Sequence, residues 1–527
     1  MKILVAEKIN QRGIDVLNGS GLEIVYDKEI SREKLLSIIG EFDGLIVRSQ
    51  PIVDKQLLEA ATRLKVVGRA GNGVDNIDME AATDRGIIVV NTPDSNSVSA
   101  CELTIGLLIS VCRNIPQANN SIKSGEWGRS RFQGHELSGK TLGIIGLGRI
   151  GNLVAKRMRA FDMDIIAYDP YITDERFRQA NVRKAVSLEE LLREVDYLTI
   201  HTPKTPETIG MVGAEQFAMM KDGVRVVNCA RGGLYDEAAL ADALRSGKVA
   251  AAACDVLAKE PCLDSPLYEL DNFIVTPHIG ATTDEAQENV GITVADEVVN
   301  ALKGEIVANA VNLPILKAED VNVIKPYLRL GELLGKLYHQ LQKKPIERVT
   351  VEYCGTVGEL DTDVITRAVL RGLFEPILKE QINYVNARRV AEGRGVKVIE
   401  SKEKPSGHFP SLVRVRVSAG ERIYQYCGTI FGNDDPRIVE IDGFRFDFRP
   451  EPYMLVVENA DRPGMIGRIG MVLGEQNINI SAMQVCPSKR DDKLAMMTIG
   501  VSQKPTDEQM KAIESVSDIY KVRLVEF

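Results

Sequence analysis

Histidine is scarce in this chain, with 5 among 527 residues. Chemistry that runs on imidazole therefore has few candidates. Cysteine is present but unpatterned: the eight, at 101, 112, 229, 254, 262, 354, 427 and 486, include no CxxC pair and no histidine at metal-ligand spacing. That disfavours a disulfide framework or a zinc site and predicts reduced, mostly buried thiols. No metal is expected. No apolar run approaches the ~20 residues that span a bilayer, so a transmembrane reading is dropped. Positive charge is in deficit, with a net charge of -9, which disfavours non-specific nucleic-acid binding yet leaves room for a local anion site. The start, MKILVAEKIN, reads as a strand rather than a cleavable leader, and a cytoplasmic location is expected.

What remains is an ordinary globular composition, 44% hydrophobic and 26% charged. At ~150 residues per domain the length suggests three or four domains. From KILVAE to KVVGRAG, short β-rich runs alternate with amphipathic segments, the rhythm of a parallel sheet covered by helices. SVSACELTIGLLISVCRNI is a long apolar helix opened by serine caps. KTLGIIGLGRIGNLVAKRMRAF then begins a second β/α series that runs to FIVTPHIG, and the helix after it, TDEAQENVGITVADEVVNALKG, is placed to carry the chain back to the first domain. The prediction is α/β throughout: a doubly wound, flavodoxin-like domain from 1–97 plus 283–312, interrupted by a Rossmann domain at 98–282. A mixed α/β domain follows at 313–452, in which GRGVKVIESKEKPSGHFP reads as an exposed loop after a helix. The last unit, 453–527, has the order βαββαβ of the ferredoxin-like split fold.

Gly146, Gly148 and Gly151 in GLGRIG follow the strand TLGII and open a helix, and Asp169 ends the next strand. In that context the glycines let backbone approach a pyrophosphate at a helix N-terminus, and the carboxylate accepts from ribose hydroxyls while repelling a 2′-phosphate. NAD is the expected cofactor. Arg149 is either a flank of the pyrophosphate or a solvated residue at a helix start.

Arg231 in NCARGG, Asp255 and Glu260 in CDVLAKEP, and His278 in VTPHIG all sit just beyond predicted strands. Carboxyl ends of strands line the crevice of an open parallel sheet, so all three segments point to one place. Oxidation of a secondary alcohol needs a base for the hydroxyl proton, which imidazole can take. Glu260 can orient that imidazole, and Arg231 offers a planar fork for a substrate carboxylate. In the first domain Arg48 and Ser49 of IVRSQ and Arg69 of VGRAG follow strands, and the two arginines can supply charge-assisted hydrogen bonds to anionic groups of a substrate.

At these residues the chain resembles the D-isomer-specific 2-hydroxyacid dehydrogenases, in which two similar α/β domains enclose NAD and the catalytic set is Arg, Glu and His. VVGRAGNGVDNID, GKTLGIIGLGRIG, VNCARGG and PHIGATTDEAQ are similar to the long, serine-biosynthetic members of that family. The resemblance implies catalytic roles for Arg231, Glu260 and His278. It implies that Asn72, Arg149, Ile150, Asp169, Thr202, Cys229, Ala230, Arg231, Asp255, His278, Ile279, Gly280 and Ala281 line NAD. It also implies substrate contact by Asn96, oxidation of 3-phospho-D-glycerate to 3-phosphooxypyruvate, and a homo-oligomer, with a tetramer expected. Arg129 and Arg131 in GEWGRSRFQG are either a solvated basic loop or a segment that reaches a neighbouring subunit's site.

The tail resembles the ACT module, which binds amino acids at paired edges. That makes Asn459, Asp461, Gly464 and Asn479 candidate contacts for L-serine, with assembly alone as the other role. The middle domain resembles the extra regulatory domain of the longest members. Two other readings stay open: a dehydrogenase or reductase of another 2-hydroxy or 2-oxo acid, such as 2-oxoglutarate or hydroxypyruvate, and an NAD-sensing binding protein or corepressor on the same fold.

Overall fold

The computed structural model describes residues 1–305, 307–314, 318–342, 344–378, 382–405, 409–488 and 493–527, and folds them around four sheets. The first contains β1 (Lys2–Val5), β2 (Glu23–Tyr26), β3 (Gly44–Val47), β4 (Val66–Arg69) and β5 (Ile88–Val90) in the order β2-β1-β3-β4-β5, all parallel. Alternation along β1 sends Leu4 into one core and Ile3 and Val5 into another. That second core is completed from far along the chain, by Val290, Val294, Val298 and Leu302 of the Asp284–Lys303 helix. Two glycines set how closely this helix lies. A Cβ on Gly68 of β4 would fall 2.5 Å from Val298, and one on Gly13 of the Gln11–Gly19 helix would fall 2.4 Å from the Gly291 carbonyl oxygen.

The second sheet holds β6 (Thr141–Ile145), β7 (Asp164–Tyr168), β8 (Arg183–Lys184), β9 (Tyr197–Ile200), β10 (Val224–Asn228), β11 (Val249–Cys254) and β12 (Phe273–Val275). Its order, β12-β11-β10-β9-β6-β7-β8, is doubly wound, and the chain reverses direction across the sheet between β6 and β9. The Ser97–Arg113 helix buries Cys101, Leu107, Leu108 and Val111 against this sheet. Its start differs from the expected serine cap. Asn96 is the capping residue without a side-chain bond, and the Ser97 hydroxyl turns back to the Pro93 carbonyl at 3.2 Å.

The third sheet is mixed: β13 (Arg348–Gly355), β14 (Lys397–Glu403), β15 (Ser411–Ala419), β16 (Arg422–Phe431), β17 (Asp435–Ile441) and β18 (Phe444–Phe448), in the order β14-β13-β15-β16-β17-β18. β14 corrects the loop reading of GRGVKVIESKEKPSGHFP. Residues 397–403 pair in parallel with β13 along their length, and the charged ones lie on an edge strand. Of the rest of that stretch, residues 404–405 and 409–410 are irregular, as a loop would be, and residues 406–408 lie outside the described residues. The fourth sheet, β19 (Tyr453–Ala460), β20 (Ile480–Pro487), β21 (Leu494–Val501) and β22 (Ile519–Glu526), runs β20-β21-β19-β22 with two helices, the ferredoxin-like arrangement. Leu455, Val457, Met497 and Ile499 face those helices, whereas Met454, Val456, Met496 and Val525 join the core of the third sheet.

Among the described residues no single helix is long and apolar enough to cross a membrane. All eight cysteines are free thiols, six of them buried.

Candidate active site

Two groups of residues collect at the carboxyl ends of the second sheet. The first surrounds the glycine turn. Gly146, just past β6, has φ +89, and a Cβ there would lie 2.7 Å from the His201 carbonyl oxygen. Gly151 is tighter: its Cβ would meet the Gly146 carbonyl oxygen at 2.2 Å. Gly148 caps the Arg149–Met158 helix without a side chain, and nothing lies within 4 Å of where its Cβ would be. The helix therefore opens with free N–H groups and positive dipole facing open space, a fit for a pyrophosphate. Asp169, beyond β7, accepts from the Leu147 N–H and the Tyr171 N–H, each at 3.0 Å, which ties it to the turn.

Arg149 is held elsewhere, with Nε 2.6 Å from Asp94 of the first domain's chain in an exposed ion pair. Ile150 packs on the sheet core. Thr202 Oγ1 and the neighbouring His201 Nδ1 are buried without partners among the described residues, two polar atoms left for a ligand or water beside Gly146.

His201 carries a pH consequence. Burial pulls its pKa down to about 4, so the folded protein keeps it neutral while the unfolded chain takes up a proton near 6.5. The folded-state value is depressed, so this contribution to stability is fully present above the unfolded value and is lost as pH falls from about 6.5 towards 4. The loss totals on the order of 3 kcal/mol. In thermal unfolding between pH 7 and pH 4.5, wild type is expected to lose more stability than His201→Gln, which keeps a partner for the Thr199 hydroxyl, 3.1 Å from His201 Nε2, without the titration. Equal pH slopes would refute this.

The second group builds outward from β10, β11 and β12. The buried Asn228 amide folds the turn after β10: its Oδ1 accepts from the Ala230 N–H at 3.0 Å, and its Nδ2 donates to the Arg231 carbonyl at 2.9 Å. Cys229 and Ala230 are buried in that turn, and burial pushes the Cys229 thiol up to about 12, so it stays protonated. Asp255 is 1% exposed and accepts from the Thr276 hydroxyl at 2.5 Å and from the Ile279 and Gly280 N–H groups at 2.8 Å each. It holds the His278 loop from beneath.

That loop is strained. His278 has φ +54, and its N–H bonds to the Asp255 carbonyl at 2.9 Å. Such backbone costs about 1–3 kcal/mol and persists where surroundings impose it. The result is that His278 Nδ1 lies 2.6 Å from Glu260 Oε2, with both side chains partly exposed. Burial raises the Glu260 pKa, but hydrogen bonds from His278 and the Leu257 N–H outweigh it and bring the carboxyl below its ordinary value. Glu260 is a carboxylate across the neutral range, and its partner nitrogen is the donor. The other imidazole nitrogen is then left to accept. Ala281 lies past the loop, where its carbonyl takes the Gln287 amide at 2.6 Å.

Facing this group, the first domain presents Arg69 at the end of β4. Its Nε is buried without a partner among the described residues. Burial and the nearby Arg231 lower its pKa to about 10; Asp75 raises it, Arg48 lowers it, and Glu7 raises it. It is a cation in a cluster of cations. Glu7 shapes the neighbouring turn, accepting from the Arg48 N–H at 3.1 Å and the Ser49 hydroxyl at 3.2 Å. Asn72 gives its carbonyl to the Asn91 amide at 2.6 Å. Asn96 stands where the Ser97–Arg113 helix begins.

Other residues named from sequence sit apart from this group. Arg129 and Arg131 lie on an exposed turn, where Arg131 pairs with Glu126 at 2.7 Å. In the fourth sheet Asn459 is buried, with Nδ2 on the Ala460 carbonyl at 2.7 Å and Oδ1 unpartnered among the described residues. Gly464, with φ +91, caps the Met465–Glu475 helix without a side-chain bond, and Asp461 and Asn479 are exposed. Sequence reading passed over Asn228, Asp75 and His201. Asn228 and His201 adjoin positions named from sequence and Asp75 lies three past Asn72, but only the fold gives each its partner.

The family profile of the D-isomer specific 2-hydroxyacid dehydrogenase NAD binding domain matches residues 105–280. Profiles of the D-3-phosphoglycerate dehydrogenase intervening domain and the ACT domain match 323–442 and 453–518. The chain is 45% identical to D-3-phosphoglycerate dehydrogenase of Archaeoglobus fulgidus over 530 residues, covering 100% of both proteins. It is 41% identical to the enzyme of the same name from Bacillus subtilis, covering 100% of this chain and 99% of that one. Among solved structures, a glyoxylate reductase from Paecilomyes thermophila aligns with a TM-score of 0.55 at 32% identity, over 59% of this chain and 98% of its own. Similarity to the long enzymes thus runs end to end, through both dehydrogenase domains and both that follow, and the chain belongs to the D-3-phosphoglycerate dehydrogenase family of D-isomer-specific 2-hydroxyacid dehydrogenases.

Proposed function

We propose that this chain oxidises 3-phospho-D-glycerate to 3-phosphooxypyruvate with NAD, the first step of L-serine synthesis from that acid. The observation that carries the reading is the pairing of His278 with Glu260 opposite a cluster of guanidinium groups drawn from both domains. NAD, held by the turn from Gly146 to Gly151 and by Asp169 and Thr202, supplies the two-electron acceptor when bound. His278 takes the C2 hydroxyl proton on the nitrogen that Glu260 leaves free, as the C2–H electron pair departs and the C=O bond forms. Glu260 fixes the ring and stabilises the imidazolium that results. Arg231 grips the substrate carboxylate and polarises the oxygen at C2, while Arg69 and Arg48 offer charge to the phosphate. Asp255 and Asn228 act through the loops they hold.

The same reading gives the division of labour. Residues 1–97 with 283–312 bind substrate, 98–282 bind NAD, and 313–452 and 453–527 regulate and assemble a homotetramer in the cytoplasm. Serine binds at the fourth sheet through Asn459, Asp461, Gly464 and Asn479, and Arg129 and Arg131 reach a neighbouring subunit.

NADH production at 340 nm by the full-length protein is expected to be at least tenfold faster per active site with 3-phospho-D-glycerate than with D-lactate, D-glycerate or 2-hydroxyglutarate at equal subsaturating concentration, the discrimination expected where part-buried guanidinium groups are left without the phosphate they would bind. Serine is expected to lower that rate. Preference for an unphosphorylated acid would move the substrate assignment within the family, and cofactor binding without turnover on any acid would favour the binding-protein reading.

A further inference from the structure

Arg231 does not stand free in the cleft. Its Nε lies 3.3 Å from Asp75 Oδ2, an acid on the turn that follows β4 in the other domain. Its Nη1 donates to the Ala230 carbonyl at 2.7 Å. Its Nη2 sits against Gly73, so closely that a Cβ on that residue would fall 2.2 Å from Nη2 and 2.6 Å from Asp75 Oδ2. The turn 71–75 of the first domain is therefore shaped around a guanidinium that the second domain supplies. The same turn packs on Arg69, whose Nη1 would be 1.6 Å from a Cβ on Gly71. Asp75 is the acid placed between the two arginines.

An arginine on a seven-atom side chain has many rotamers, and a bidentate grip on a carboxylate needs one of them. Anchoring at Nε selects the rotamer while leaving an N–H on each terminal nitrogen for the ligand, since Nη1 spends only one of its two on the Ala230 carbonyl. Because the anchor comes from the opposite domain, it can act only when the two domains stand this close. We infer that Asp75 is a positioning residue for the reaction: it fixes Arg231 across the cleft in the orientation that grips substrate, so that presentation of the arginine is tied to the spacing of the domains. The inference rests on the role proposed for Arg231.

The test compares wild type, Asp75→Asn and Asp75→Glu as full-length proteins, measuring kcat and KM for 3-phospho-D-glycerate, KM for NAD, and Tm. Asp75→Asn keeps the shape and loses the charge. It is expected to lower kcat/KM for the acid about tenfold, mostly through KM, with KM for NAD and Tm unchanged. Asp75→Glu restores a carboxylate and is expected to recover part of the loss. An unchanged or improved kcat/KM in Asp75→Asn would overturn the inference. So would equal impairment in both variants with a lowered Tm, the mark of a structural role. If wild type turns over a different 2-hydroxy acid, the same comparison on that acid still decides the role of Asp75, while the substrate assignment falls separately.

Discussion

Replacing His278 with alanine is expected to lower kcat for 3-phospho-D-glycerate oxidation by about a thousandfold, within the range that a positioned general base contributes. NADH binding, followed by its fluorescence, is expected to change less than about twofold, because binding draws on the glycine turn and not on imidazole. The side chain is half exposed and its polar contact is to Glu260, so its removal leaves little unsatisfied and the fold holds. Glu260→Gln is expected to cost less, about tenfold, since an amide oxygen still accepts from Nδ1 but no longer stabilises the imidazolium. The two act as a unit, so the double variant is expected to match His278→Ala alone rather than multiply the losses. A single variant His278→Ala that retained more than a tenth of wild-type kcat would remove imidazole from the reaction.

Alanine at two positions of the glycine turn separates fold from ligand. At Gly151 the new methyl would lie 2.2 Å from the Gly146 carbonyl oxygen and 3.2 Å from its carbon, both backbone atoms, so the helix must move. Moving it displaces the N–H groups that meet the pyrophosphate. Gly151→Ala is expected to weaken NAD binding on the order of a hundredfold, a loss near 3 kcal/mol, and to lower Tm. At Gly148 the methyl meets nothing within 4 Å. It enters open space at the helix N-cap, where the pyrophosphate is proposed to sit, so Gly148→Ala is expected to weaken binding while Tm holds. Calorimetric titration of NAD and a melting curve on each variant check both, and tight binding by Gly148→Ala would show that the cofactor lies elsewhere.

How much of this was legible in the sequence depends on the range of the forces involved. The two parallel sheets were readable because buried strands are written as local apolar runs such as KILVA and TLGII, and the site motifs because each sits at a strand end. The pairing of Glu260 with His278 was inferred from chemistry, and the structure brings them to 2.6 Å. What stayed hidden is what depends on register or on a distant partner. β14 looked like a loop because an edge strand tolerates charge. Asp75 carried no signal of its own in the sequence because its partner is 156 positions away in the other domain, the difference between 231 and 75. Asp255 was read as a residue lining NAD, and three donors within its own domain claim its carboxylate.

The return helix Asp284–Lys303 has a consequence in time. Ile3, Val5, Ile46, Val66 and Val90 leave the ribosome long before Val294 and Val298, which cover them. At ~5–20 residues per second the wait for the covering helix is on the order of 10–40 s. Throughout it one apolar face of the first sheet is covered only by the short Gln11–Gly19 helix, whose Leu17 shares that core, while the second, whose strands and helices are contiguous in sequence, can close by itself. The nascent chain thus finishes its inserted domain before its first one, and the exposed face of β1, β3 and β4 is where a chaperone that binds apolar strands would find this protein.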